Sequence, residues 1–160
     1  MSAFGRAYTL HLRTLVADLL ETIRDIPDTD FNTWKPAAAR EGGHEMNTFA
    51  AIAIHAVSAG EFMTLHAVGG APSQRDREAE FMATGSFKEI EERYRQWVEA
   101  TAALVAPFTD EDLDREPYSE RYTSRGWRVA EILLHALDHT SLHVGHLQVQ
   151  RQLWEAERAE

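Results

Sequence analysis

One stretch of the chain, from Glu131 to Trp154, carries four histidines on a helical pattern. Steps of four, four and three residues separate His135, His139, His143 and His146. At 3.6 residues per turn, these steps keep all four side chains on one stripe of a helix, roughly 80° wide. Side chains four residues apart are neighbours on a helix, so two imidazoles in this relation can bind one cation. The stretch therefore predicts a long helix whose histidine face could bind a divalent metal.

A structural interpretation of the same face stands beside this one. A single histidine on an apolar helix face is more often a core or rim residue than a metal ligand. Eight histidines in 160 residues also make some spacings of four expected by chance. Four histidines on one helical stripe favour a metal site more than a single pair would. The four are set between apolar residues, namely Leu133, Leu134, Leu142 and Val149.

Length and composition exclude several classes of function. The 160 residues predict a single domain over residues 1–160, with 44% hydrophobic and 26% charged residues as in soluble globular proteins. The formal net charge of −10 argues against electrostatic binding to nucleic acid or to an anionic membrane. The chain has no cysteine, so a metal must bind nitrogen and oxygen ligands, and any thiol must come from outside the protein.

The N-terminal stretch does not have the apolar core of a signal peptide, because Arg6, His11 and Arg13 interrupt it. No uninterrupted apolar run approaches the ~18 residues of a membrane span. Together with the missing cysteines, these features predict a cytoplasmic protein with no membrane partner.

Apolar residues at helical spacing predict four long helices. The second has Asn47 or Thr48 as its N-cap, and the third begins with a capping box formed by Ser86 and Glu89. Pro107 ends the third helix. The predicted helices span about residues 4–26, 47–68, 86–106 and 127–156, and the segments 31–43 and 73–85 between them are predicted as loops, the latter with room for a short helical turn.

Four amphipathic helices define an all-α four-helix bundle with a long loop before the last helix. That loop, residues 108–126, is acidic and irregular, and its length is uncommon in a compact bundle. Tyr118, Tyr122 and Arg125 are candidates for substrate contacts, against the simpler interpretation of a connector that covers one bundle end. Trp34 could line a pocket, but a cap on the bundle end is the better-supported role.

His55 lies inside the second helix between Ile54 and Ala56, where an unpaired polar side chain would be costly to bury. It therefore needs a partner, which could be a metal or a hydrogen bond. His66 is the alternative ligand, since it falls near the same helical angle but about 16 Å further along the axis. His44, in the preceding loop, is expected at the surface.

This pattern resembles the DinB/YfiT-like family of four-helix-bundle proteins over nearly the whole chain. The resemblance rests on His55 within AIAIHAVSAGEF and on the H-x-x-x-H pair His139 and His143 within LLHALDHTSLHVGH. His135 matches a further histidine that the family often has four residues before the pair. His146 stands where the family often has Gln, so the roles of His135 and His146, in the site or beside it, stay open.

The resemblance implies a divalent metal, zinc or nickel, held by His55, His139 and His143 with open positions for water or substrate. Family members with known activity use low-molecular-weight thiols such as mycothiol or bacillithiol, as thiol S-transferases or as a thiol-dependent isomerase. The implied partners are a small-molecule substrate, such a thiol and a second copy of the chain in a homodimer. The alternatives are a metal-dependent hydrolase and a non-catalytic metal- or ligand-binding bundle linked to stress.

No carboxylate has the placement of a general base in the sequence. Glu61 and Asp138 lie near the ligands in sequence, yet the helix period points neither clearly toward the site. This favours thiol transfer over hydrolysis, because a bound thiolate needs less help with proton transfer. Metal affinity is expected to fall as the pH drops through ~6.5, because imidazole must be neutral to bind a metal.

Overall fold

The computed structural model of the protein describes residues 1–36 and 46–159. The chain begins with α1, Ala3–Ile23, and the short α2, Asp28–Thr33. The next long helix is α3, Phe49–Glu61, which continues without a break as a π-helical segment, Phe62–Val68. The remaining helices are α4 at Arg77–Glu80, α5 at Phe87–Val105, α6 at Asp110–Asp114, α7 at Glu120–Thr123 and α8 at Val129–Arg158.

The four long helices α1, α3, α5 and α8 form one bundle, which confirms the predicted all-α fold. α1 packs against α5 and α8, and α3 packs against the same two helices. A continuous cluster of buried apolar side chains, contributed by all four, fills the space between them. The predicted N-caps Thr48 and Ser86 are both present, and each side chain accepts a hydrogen bond from a backbone N–H of the first turn.

α3 is surrounded by other parts of the protein on nearly all sides. Of its 13 residues, 11 are buried, and most of these are Ala or Gly, which let neighbouring helices approach closely. By length and composition, the continuous helix Phe49–Val68 is the one helix within residues 1–36 and 46–159 that could cross a membrane, but 67% of its apolar window is buried inside the protein. The core helix of a soluble bundle has these same properties.

The π-helical segment binds α3 to α5 through a buried polar cluster. The Thr64 hydroxyl donates to the Gly60 carbonyl oxygen at 2.9 Å and accepts from the Trp97 indole N–H at 2.9 Å. The Thr101 hydroxyl lies 3.0 Å away and completes the cluster. A π-helix has more residues in each turn than an α-helix does. His66 therefore does not have the helical angle relative to His55 that an α-helix would give it.

Several short helices lie where the sequence predicts loops. α2 extends into the first residues of the predicted loop at 31–43, and residues 37–45, which include the end of that loop and His44, lie outside the described residues. The 108–126 segment is not irregular throughout, since it contains α6 and α7. α6 is fixed by a reciprocal cap, in which Thr109 and Asp112 each accept from the other's backbone N–H.

The packing of α3 against Trp97 gives a test of the fold. A Cβ at Gly60 would overlap the indole of Trp97, which is 1% exposed. We expect Gly60→Ala to lower the free energy of unfolding by about 1–3 kcal/mol, as overpacking does in other cores. Chemical denaturation of metal-free protein measures this change.

Gly145 provides the matched control, because it is also a helical glycine and nothing lies within 4 Å of the Cβ position. Gly145→Ala should raise the free energy of unfolding by about 0.5–1 kcal/mol. Equal effects of the two substitutions would contradict the described contact between α3 and α5.

Candidate metal site

Three histidine rings meet between the middle of α3 and the middle of α8. One ring nitrogen from each of His55, His139 and His143 lies within 4.8 Å of the other two. The ring centroid of His55 is 5.3 Å from that of His139 and 5.0 Å from that of His143. The structure thus brings together the three residues that the sequence selects, in an arrangement that could hold a metal ion.

The two rings from α8 have a spacing that fits a shared ion. Their Nε2 atoms are 3.3 Å apart. Zinc binds imidazole nitrogen at about 2.0–2.1 Å, so two ligands of a tetrahedral ion lie about 3.3–3.4 Å from each other. The same distance also allows one Nε2–H to donate to the other Nε2 without a metal. The donor set, neutral nitrogen on both rings, suits zinc and nickel alike.

His55 is bound on its other side by a buried ion pair. Its Nδ1 lies 2.8 Å from Oε2 of Glu80, which follows it by 25 residues and ends α4. The Arg75 guanidinium donates to both oxygens of that carboxylate, at 2.6 and 2.8 Å. Burial opposes ionisation of Glu80, but the hydrogen bonds from Arg75 and His55 outweigh it and lower the pKa of the carboxyl.

All three rings are held in the neutral form that binds a metal. Burial is the largest cause and lowers the pKa of His139 to about 4 and of His143 to about 3, with further lowering by neighbouring imidazoles. Burial also lowers the pKa of His55, against the opposing effect of Glu80. Because protons compete with a metal for the ring nitrogens, the lowered pKa values lead us to expect the fall in metal affinity at a pH more acidic than ~6.5.

The other histidines that the structure describes lie outside this cluster. His66 is part of the π-helical segment, where its Nδ1 donates to the Ala71 carbonyl oxygen at 2.6 Å, and it does not belong to the three-histidine cluster. His135 and His146 extend the stripe on α8, with ring centroids 6.2 Å from His139 and 5.4 Å from His143 respectively. Of the apolar residues named beside the stripe, Leu133 is buried, whereas Leu134, Leu142 and Val149 are exposed, at 61%, 55% and 56% respectively.

An aromatic wall adjoins the stripe at its N-terminal end. Trp127 meets the His135 ring edge-on at 5.2 Å and stacks on Tyr122 at 5.5 Å. The guanidinium of Arg125 lies over the Trp127 ring, 5.5 Å from its centroid. Trp127 thus lies between His135 and both Tyr122 and Arg125, while Tyr118 is exposed and packs against Gly70.

The expected capping role of Trp34 agrees with its contacts. Its ring stacks on Phe49 at the start of α3, and its indole N–H donates to Glu157 near the end of α8 at 3.2 Å. Trp34 therefore covers one end of the bundle, away from the middle of α3 where His55 lies.

Glu80 and Arg75 are the site residues that the sequence did not reveal. A short helix could be predicted from Asp76, whose carboxylate caps α4, followed by strong helix formers. Periodicity over so few residues does not show that Glu80, and not Glu78, turns inward. Of the two acids considered from sequence, Glu61 pairs with Arg93, and Asp138 is exposed and acts on His139 through its charge.

A helical bundle with three inward-facing histidines on two facing helices defines a class of candidate metal-binding proteins. The chain belongs to the DinB superfamily, whose family model matches residues 11–147. No curated protein and no solved structure matches the chain.

The lowered pKa of His143 gives a prediction for metal-free protein. The unfolded chain takes up a proton on this residue near pH ~6.5, whereas the folded protein does so only near pH 3. The unfolded state therefore binds more protons as the pH falls from about 6.5 to about 3, and folding stability decreases over that range. We expect His143→Gln to lose less thermal stability than the unsubstituted protein between about pH 7 and about pH 4.

The control for this measurement is His11→Gln, because His11 is an exposed residue of α1. It should follow the unsubstituted protein across the same pH range, in a buffer with a chelator. An identical pH profile for His143→Gln would show that the pKa of His143 is not lowered in the folded protein.

Proposed function

We propose that this protein binds zinc or nickel through His55, His139 and His143 and transfers a low-molecular-weight thiol to a small electrophile. The observation that carries the proposal is the convergence of the three imidazoles, within 4.8 Å of one another, at the middle of two facing helices. Three neutral ligands leave an ion its full charge and an open position, which is typical of catalytic and not of structural sites. When bound, such an ion lowers the pKa of a thiol and holds it as the nucleophilic thiolate.

The surroundings of the rings support access by a small molecule. His55 is buried, at 8% exposed, whereas His139 and His143 are partly exposed, so one side of the cluster is open to solvent. Trp127, which is partly exposed beside His135, offers an apolar surface on which an electrophile could pack.

The carboxylates near the cluster favour thiol transfer over hydrolysis, because they are poorly placed to act as a base. Hydrolysis needs a base to take a proton from water, but both oxygens of Glu80 are already hydrogen-bonded. Glu61 is paired with Arg93, and Asp138 is exposed. A thiol loses its proton more readily than water does, so it needs less help from such a base.

A non-catalytic metal-binding bundle is the second candidate, and the same engaged carboxylates favour it. The proposed partners are a small electrophile and a thiol such as mycothiol or bacillithiol. A homodimer is the assembly that the family resemblance implies, and a cytoplasmic location remains a prediction from composition.

Metal content tests the ligand assignment directly. Protein purified after zinc or nickel loading should hold about one ion per chain, as expected for one three-histidine site. We expect His139→Ala to lose most of this metal in elemental analysis, because two imidazoles bind an ion far more weakly than three. His11→Ala, which removes an exposed histidine of α1, should retain it. Equal retention by the two variants would contradict the assignment.

Turnover distinguishes the two candidate functions. Metal-loaded protein should accelerate the conjugation of monochlorobimane to a low-molecular-weight thiol, in which the thiolate displaces chloride, and His139→Ala should abolish the acceleration. Turnover of an activated ester without any thiol would instead support a hydrolase. Bound metal without turnover of either probe would support the non-catalytic bundle.

A further inference from the structure

The three rings of the cluster are not held in the same way. The Nδ1 atoms of His139 and His143 are buried and have no hydrogen-bond partner within residues 1–36 and 46–159. The Nδ1 atom of His55, by contrast, lies 2.8 Å from a carboxylate oxygen of Glu80, which is 5% exposed. Of the three imidazoles, His55 alone has its orientation fixed by a polar side chain outside the cluster.

The Glu80 carboxylate that accepts from His55 is in turn bound by Arg75. Arg75 donates to Oε1 through Nε and to Oε2 through Nη2, which is the two-point geometry that best fits a guanidinium to a carboxylate. The Arg75 guanidinium also lies over the ring of Phe62, 5.7 Å from its centroid. Because both oxygens of Glu80 are engaged, it is neither a free base nor a fourth ligand.

Besides the hydrogen bond at its edge, the His55 ring has a stacking contact on its face. Phe81, the residue after Glu80, stacks on the imidazole with centroids 5.2 Å apart and planes 22° from parallel. The guanidinium of Arg77 covers the Phe81 ring, 5.3 Å from its centroid. The short helix α4 thus brings two consecutive side chains against one histidine.

This arrangement selects one of the two neutral forms of His55. An ionised carboxylate can only accept hydrogen bonds, so the hydrogen of the neutral imidazole must be on Nδ1. The lone pair is then on Nε2, the nitrogen left to face an ion. The other neutral form would place two acceptors against each other at 2.8 Å.

We propose that Glu80, held by Arg75, is a positioning residue that acts through His55 and prepares it as a metal ligand. Glu80 fixes the Nδ1–H form and the ring orientation, and it places one negative charge next to an otherwise neutral set of ligands. This inference rests on the metal site of the proposed function and adds to it residues that do not touch the ion.

The test compares zinc affinity in full-length variants by competition with a chromogenic chelator. Glu80→Gln keeps the size of the side chain but removes its charge and its obligatory acceptor role. We expect it to weaken zinc binding about 10–100-fold, the usual effect of losing such a partner. Arg75→Lys, which keeps the positive charge but loses the two-point contact, should weaken binding less than Glu80→Gln does.

Glu61→Gln is the matched control. Glu61 lies on the same helix as His55, is partly buried, and is held by two donors of Arg93 at 3.1 and 2.6 Å, but none of its hydrogen bonds is to a histidine. It should leave zinc affinity unchanged. A loss equal to that of Glu80→Gln would show a general effect of breaking a buried ion pair, and it would overturn the proposal.

A second readout uses metal-free protein. Long-range ¹H–¹⁵N NMR of the histidine rings should show His55 in the Nδ1–H form at neutral pH, and Glu80→Gln should shift it toward a mixture of both forms. His55 in the Nε2–H form, or zinc affinity unchanged by Glu80→Gln, would overturn the inference while leaving the metal site intact. An Nδ1–H form together with no zinc binding by the unsubstituted protein would overturn the metal site, and the inference with it.

Discussion

The fold depends on the burial of α3, a helix of mostly small residues enclosed by α5, α8 and the connecting segments. A helix buried on nearly all sides cannot satisfy its polar side chains with water, so each of them needs a partner within the protein. Ser58 receives a hydrogen bond from Arg93, Thr64 from Trp97, and His55 bonds to Glu80. These polar contacts attach α5 and the α4 segment to the central helix, and the last of them also shapes the histidine cluster.

Much of the architecture could be predicted because long helices leave a periodic signal. The apolar faces of α1, α3 and α5 were recognisable from residues spaced three and four apart, and Thr48 and Ser86 marked two helix starts correctly. The histidine cluster could also be predicted, since His139 and His143 are one turn apart and His55 needed a partner wherever α3 was buried. Its geometry in space confirms that convergence, although metal binding itself stays a prediction.

The residues that were missed share a physical reason. Glu80 reaches His55 through a contact that spans 25 residues, and it does so from a four-residue helix too short to show a period. The π-helical segment was also missed, because it continues α3 without a break and no residue in it marks the change. Leu134, Leu142 and Val149, named beside the histidine stripe, lie on the outer side of α8, since hydrophobicity alone does not exclude exposure.

The unequal support of the three imidazoles has a consequence for ion preference. His55 is held by a hydrogen bond and by ring stacking, but the buried Nδ1 atoms of His139 and His143 have no hydrogen-bond partner in the part of the chain that the structure describes. A site in which hydrogen bonding fixes only one of three imidazole ligands imposes little of its own coordination geometry on a bound ion. Metal ions that prefer different coordination geometries could therefore bind with similar affinity. The metals that the cell supplies would then decide which ion is bound.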